Sequence, residues 1–371
     1  MDCTAQLRTN VPMIALLSRP SDCLSTDDSV RVPAVPSRFA CLPGGKLLQS
    51  WTEEASGVEM RKLGSQGPEI SVVGFGAWEA GGDTWGPNQS EETVLEAMRA
   101  ALDAGMTWID TAEVYGNGRS EELVGKAVAG RPRDEFLIFT KVGPKPEGSG
   151  YRPDDIKRAI HASLARLGTD HVDLYQIHWP VPDMAIEEAW SAMARLMDEG
   201  LTRHIGVSNF DRGLIERCIT VANVESVQNQ LSLFRRDDVD DLLPWLEEMG
   251  IGFLAYSPLA FGMLTGAITV DTEFDPTDFR SGKAYQGDAY RNLFAPGKRE
   301  EKLARVARLT TVADRLGVSV ATLALRWVVE QRGVTAAIAG SRNPKHVRSN
   351  TSAGDLRLDD RTLRQIEGIF A

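Results

Sequence analysis

From about Ile70 onward the chain alternates short β-branched or aromatic runs with longer stretches of helical period, and this alternation limits its folds more than any other feature. Eight runs read as strands: Ile70 to Gly76, Thr107 to Asp110, Phe136 to Val142, Val172 to His178, Arg203 to Val207, Ser226 to Gln230, Gly252 to Ser257 and Ala336 to Gly340. Between them Ser90 to Ala104, Asp154 to Leu167, Ile186 to Asp198 and Val239 to Met249 carry apolar residues at helical spacing. Ser90 and Ser120 are the expected helix starts. Nearly continuous apolar strands separated by helices predict a parallel sheet covered on both faces, and closure into a single (β/α)8 TIM barrel is the economical form. An open doubly wound sheet would carry G-x-G-x-x-G after its first strand. Here Gly74-Phe75-Gly76 is followed by Ala77, Trp78 and Glu79, and no phosphate loop of the G-x-x-x-x-G-K type occurs.

The 371 residues exceed what one barrel needs, which leaves residues 1–57 as an extension and 58–371 as the barrel domain. The extension reads as a disordered segment, an upstream start preceding Met60, or a targeting peptide. Its longest apolar run, Val11 to Leu17, is far short of the roughly 20 residues that span a bilayer. A formal net charge of −11 with interspersed signs offers no basic face for nucleic acid. Three of four cysteines lie in the first 41 residues, with no pairing or zinc pattern, so a reducing, cytoplasmic setting and no bound metal are expected.

Polar residues interrupt these apolar strands almost only at their C-terminal ends: Asp110, Lys141, His178, Ser208 with Asn209, Gln228 with Gln230, and Tyr256. In a closed barrel they converge on the rim where barrel enzymes do their chemistry. Taken singly, each has a structural reading as an ion pair, a satisfied strand-end polar group or rim packing. Together they suit carbonyl reduction, in which a hydride addition leaves an oxygen that must be protonated. Tyr115 supplies a phenol, Lys141 an ammonium to lower its pKa, Asp110 the lysine's counter-charge and His178 a hydrogen bond to the substrate. A paired-carboxylate hydrolase using Asp110 and Glu113 is the rival, but it leaves Tyr115 and Lys141 without a role.

Asp110-Thr111-Ala112-Glu113-Val114-Tyr115-Gly116, Lys141 after Phe139-Thr140, His178 after Gln176-Ile177, and Gly206-Val207-Ser208-Asn209-Phe210 together resemble the aldo-keto reductase family, in order and spacing, from about Met60 to Phe370. The resemblance implies a catalytic tetrad of Asp110, Tyr115, Lys141 and His178 and NAD(P)H-dependent reduction of a small carbonyl substrate. It also implies that Ser208, Asn209 and Gln228 hold the nicotinamide carboxamide, with Tyr256 stacked on its ring and Ser257 and Leu259 beside it. Gly340, Ser341, Arg342, His346 and Asn350 match the adenosine end, where Arg342 and a helix starting near Pro344 would favour the 2′-phosphate of NADPH over NADH. The chain departs from the family pattern at Ala339, His346 and Ser349. Trp78, Trp85 and Trp179 are the expected substrate wall. The loop-like Ala260 to Gly297, after the seventh strand, is the expected lid or binding loop. Oligomeric state is not legible, and the same fold serves as a redox-sensing regulatory subunit.

Overall fold

The stretch expected as one strand from Ile70 divides at Val72. In the computed structural model, which describes residues 58–371 apart from 83, 88, 145–150, 183 and 284–286, β1 (Met60–Lys62) and β2 (Glu69–Ser71) pair antiparallel as a hairpin. Only β3 (Val73–Gly76) enters the main sheet. The division has a local cause: the Ser71 hydroxyl donates to Val73 O at 2.7 Å, while the Val72 amide turns back to Glu59 O. The expected extension, residues 1–57, lies outside the described residues.

Seven further strands follow: β4 (Trp108–Asp110), β5 (Leu137–Val142), β6 (Val172–Ile177), β7 (Thr202–Ser208), β8 (Ser226–Gln230), β9 (Gly252–Tyr256) and β10 (Ala336–Ala339). They close in the order β10-β3-β4-β5-β6-β7-β8-β9, every neighbouring pair parallel, which is the (β/α)8 TIM barrel. Inside, Trp108, Phe139, Leu174, Leu254, Ala336 and Ile338 form a small cluster that Leu63 and Ile70 of the hairpin join. Leu63 sits over Gly252, the first residue of β9, so the hairpin plugs the N-terminal mouth. Gly74 makes room for this core: a Cβ there would lie 2.1 Å from the Trp108 indole. The first two glycines, which are no nucleotide finger, thus serve closure, for a Cβ on Gly76 would meet Ile338 at 2.8 Å.

Three of the outer helices match their expected spans closely, whereas the stretch expected from Val239 is helical only over Leu242–Met249. Helix Glu91–Asp103 is capped by Ser90, whose oxygen accepts from Thr93 N, and Ile186–Asp198 lies as expected. Ser120 is a correction. Helix Arg119–Val128 begins after Gly118, at φ 95°, and Ser120 is buried inside it, donating to Ala77 O and paired with the Thr111 hydroxyl. The segment Ala260 to Gly297 folds into short turns, among them Ala260–Thr265, Phe279–Ser281 and the π-helical Tyr290–Phe294. Among the described residues, no helix is long and apolar enough to cross a membrane.

Candidate active site

Parallel register brings the strand ends level at the C-terminal rim: Lys141 lies beside Gln176, Gln176 beside Gly206, and Ser208 beside Gln228. Lys141 is fully buried and points into the barrel, where Nζ donates to Asp110 Oδ1 at 2.5 Å and to Thr111 O at 2.9 Å. Asp110 Oδ2 accepts from Gln228 Nε2 at 2.8 Å, so both carboxylate oxygens are engaged. Tyr115 stands on the loop after β4. That loop can touch the one after β3 because a Cβ on Gly116 would lie 2.3 Å from Gly81 O. The contact places Trp78 and Tyr115 on one wall, their rings 6.3 Å apart. The Tyr115 hydroxyl lies 3.4 Å from His178 Nε2, and Lys141 Nζ lies 5.3 Å from the Tyr115 ring centre.

The electrostatics depart from the expectation that Lys141 lowers the phenol's pKa. Burial, followed by the charge of Asp110 and the neighbouring Tyr256, pushes Tyr115 well above its ordinary value. The ammonium is paired with the Asp110 carboxylate, so the phenol meets an ion pair rather than a lone cation. Burial also lowers Lys141, against the pull of Asp110. His178 falls well below 6.5, through burial and then Lys141, so the imidazole is neutral at physiological pH. Trp179 stacks on it at 3.5 Å, and among the described residues its Nδ1 has no hydrogen-bond partner.

These groups open into a cavity of about 720 Å³ that runs from the barrel axis to the helix Pro344–Thr351. All the site residues expected from the sequence line it except Lys141, buried behind Asp110, and Arg342. Asn209, at φ 61°, donates to His178 O and Ser208 Oγ and accepts from the Tyr256 hydroxyl at 2.8 Å. The Tyr256 ring is thereby pinned as a wall. Trp85 and Trp78 pack edge to face at 5.0 Å.

Arg342 is turned away from the cavity: its guanidinium donates to Trp85 O at 3.1 Å and Pro87 O at 3.2 Å, and Nε lies 3.7 Å from Glu79. Glu79 is pushed up by burial, against Arg342 and Arg280. At the helix start, Pro344 has no N–H, Asn343 takes that of Lys345 and Val347 bonds to Asn343 O. Among the described hydrogen bonds this leaves the His346 amide as what the helix's own first turn offers an anion.

Sequence reasoning missed Phe261 and Arg280, both from the long segment after β9. Arg280 binds Asp278 through two nitrogens and lies over the Trp85 ring at 4.9 Å. The segment's length was the available signal, because an aperiodic loop gives no register from which to pick residues. The rival carboxylate pair does not form: Glu113 accepts from Gly143 N at 2.9 Å and is buried, while Asp110 is held by Lys141 and Gln228. Asp110, Glu113 and the other acids form no cluster with His or Cys suited to a metal among the described residues.

The donor set fits a nicotinamide dinucleotide. Gln228 has both amide hydrogens committed inward, to Asp110 and Gln176, and keeps Oε1 for the cavity. A pinned aromatic ring stands beside it, and an unused amide lies at the far end.

Comparison with known proteins agrees with this geometry. The family model described as "Aldo/keto reductase family" matches residues 72–371. The chain is 35% identical to Aldo-keto reductase YhdN of Bacillus subtilis, over 84% of this chain and 94% of that one. It is 31% identical to a probable voltage-gated potassium channel subunit beta of Arabidopsis thaliana, over 81% and 92%. It is 30% identical to an NADH-specific methylglyoxal reductase of Escherichia coli, over 80% and 94%. Among solved structures it resembles a glycerol dehydrogenase of Gluconobacter oxydans, with TM-score 0.73, 33% identity and coverage of 85% and 95%. It also resembles an aldo/keto reductase of Klebsiella pneumoniae solved with NADP and acetate, with TM-score 0.65, 29% identity and coverage of 84% and 96%. A closed parallel barrel with an acid, an amine, a phenol and an imidazole gathered on its rim, together with these matches, makes the chain a member of the aldo/keto reductase family, and so an oxidoreductase that uses NAD(P)H.

Proposed function

We propose that this protein reduces aldehydes or ketones to alcohols with NADPH, with Tyr115 as the proton donor. The observation that carries the reading is the Tyr115 hydroxyl set 3.4 Å from His178 Nε2 at a cavity wall, with Lys141 Nζ of the buried Lys141–Asp110 pair 5.3 Å from the Tyr115 ring centre. A bound nicotinamide supplies the hydride, which no side chain can. The chain's own residues handle the oxygen. A neutral His178 can donate a hydrogen bond to the substrate carbonyl without competing for a proton, and Tyr115, held protonated by burial, gives up its proton as charge develops on that oxygen. Lys141 stabilises the phenolate left behind, and Asp110 keeps the amine charged and aimed. Ser208, Asn209, Gln228 and Tyr256 would hold the nicotinamide end. Ser257, Leu259, Gly340, Ser341, His346 and Asn350 would line the rest of the dinucleotide. Trp78, Trp85 and Trp179 would form the apolar wall for the substrate.

NADPH is preferred to NADH because Arg342 stands next to Ser341 and the free His346 amide. Reaching a 2′-phosphate requires it to leave Trp85 O, Pro87 O and the nearby Glu79 carboxylate, exchanging two neutral carbonyl acceptors and a 3.7 Å ion pair for a doubly charged, bidentate one. The E. coli relative's NADH specificity makes the cofactor ratio an open measurement for this chain. The cysteine usage supports a cytoplasmic setting.

Tyr115→Phe tests the reading. Turnover of a reactive aldehyde should fall by about 1,000-fold or more while NADPH still binds, and near-normal turnover would refute Tyr115 as the acid. Arg342→Ala should weaken NADPH relative to NADH. A second reading, a cofactor-binding redox-sensing subunit, draws support from the Arabidopsis relative. Cofactor binding without turnover of any reactive aldehyde would favour it.

A further inference from the structure

Gln176 is fully buried inside the barrel, and its Nε2 is among the few buried polar atoms with no hydrogen-bond partner in the described residues. Its surroundings fix which way its amide faces. Asp110 can only accept while ionised, so the Gln228 atom 2.8 Å from its Oδ2 must be the NH2 group. The second hydrogen of that NH2 points to Gln176 at 3.4 Å, so the Gln176 atom facing it must be the carbonyl oxygen. Gln176 Nε2 is then left over on the far side. A buried amide that leaves a donor unpaired costs stability, which the position must offset in another way. Gly206, the strand neighbour of Gln176, is required by Ser226, since a Cβ there would lie 2.5 Å from Ser226 Oγ, while it would only touch Gln176 Cγ at 3.4 Å.

We propose that Gln176 is a positioning residue: by accepting from Gln228 Nε2 it locks the Gln228 amide so that Oε1, an acceptor, faces the cavity and selects a ligand carrying an N–H donor, the carboxamide of nicotinamide. This rests on the reading that nicotinamide lies at Gln228. Asp110 alone would leave Gln228 one free amide hydrogen and the freedom to rotate. With Gln176 both hydrogens are spent, and the chain Gln176, Gln228, Asp110, Lys141 fixes the carboxamide pocket and the buried ion pair as one unit.

The probe is the oxidised cofactor against its 3-acetylpyridine analogue, which has a methyl ketone in place of the carboxamide and no N–H to give. Binding is measured by calorimetry, without turnover. The wild-type protein should prefer NADP by about 5- to 10-fold, the worth of one hydrogen bond in a buried pocket. Gln176→Leu should reduce that preference to within about two-fold, and Gln176→Glu, which keeps an acceptor at the same reach, should restore most of it. If the leucine variant fails to fold, Gln176→Met, of similar length and without an acceptor, replaces it. An unchanged preference in the leucine or methionine variant overturns the proposal. So does a wild-type protein that binds both dinucleotides equally, or a glutamate variant as indifferent as the leucine one. A wild-type protein that binds neither dinucleotide overturns the cofactor reading itself, and is told apart from the other failures by that absence of binding.

Discussion

Asp110→Asn removes one charge and almost no volume, yet it should be among the more costly single changes in this barrel. Lys141 Nζ is fully buried and has two partners, Asp110 Oδ1 and the neutral Thr111 carbonyl. Breaking a buried pair by neutralising one member leaves an uncompensated charge and costs about 3–5 kcal/mol. The lysine has one escape, which is to lose its proton. At about 1.4 kcal/mol per pH unit, deprotonation at pH 7 instead of at the ordinary 10.5 caps the loss near 5 kcal/mol. The pH dependence follows from the direction of the shift. A lysine whose folded pKa is depressed lets the unfolded chain bind more protons between the folded and ordinary values, so stability rises with pH across that window. In Asp110→Asn the depression deepens and the window widens downward. Urea unfolding should therefore show a deficit of about 3–5 kcal/mol against wild type at pH 7, shrinking by roughly 1.4 kcal/mol per unit as pH approaches 10. A deficit under about 1 kcal/mol, or one equal at pH 7 and pH 9.5, would refute the claim that Lys141 is buried as an ammonium held by Asp110.

Three further changes probe other parts of the structure. Gly74→Ala puts a methyl 2.1 Å from the Trp108 indole, which is fully buried and hydrogen-bonded to Ser71 O, so unfolding free energy should fall by about 3 kcal/mol, and an unaltered denaturation midpoint would contradict the packing. Arg166→Ala strips the buried Glu121 carboxylate of its cation and leaves it, among the described residues, the Thr140 hydroxyl, so a loss of about 3–5 kcal/mol is expected by thermal or chemical denaturation, with Arg166→Lys losing less. With His178 lowered far below 6.5 and Tyr115 raised far above 10, the kcat/KM for reduction should be flat from about pH 6.5 to 8.5, and a titration limb inside that range would mean one of the two is misassigned.

The readable part of this protein is the part where burial forces a choice. A strand covered on both faces must be apolar, so a polar residue at its end is conspicuous, and Asp110, Lys141, His178, Gln228 and Tyr256 could be placed on one rim before any coordinate. The boundaries that failed are those a side chain decides. Ser71 ends one strand, with the next starting at Val73, because its hydroxyl donates to the Val73 carbonyl, and Ser120 reads as a cap yet is spent on Ala77 O, with Gly118 making the turn. The same distinction runs through the site. Sequence supplies the lysine, the tyrosine and Asp110 as the lysine's counter-charge, but not the balance among them: burial, then Asp110, pushes the phenol up, and that balance is set only by the packed geometry. Arg342 is the limiting case. Its position along the chain puts it at the adenosine end, while its guanidinium is held by Trp85 O and Pro87 O, two carbonyls more than 250 residues earlier. Position is a property of the chain, whereas commitment is a property of the partners. A phosphate is a stronger partner for a guanidinium than a neutral carbonyl, but it would also have to compete with Glu79, 3.7 Å away, so the present contacts of Arg342 set what such an exchange must overcome.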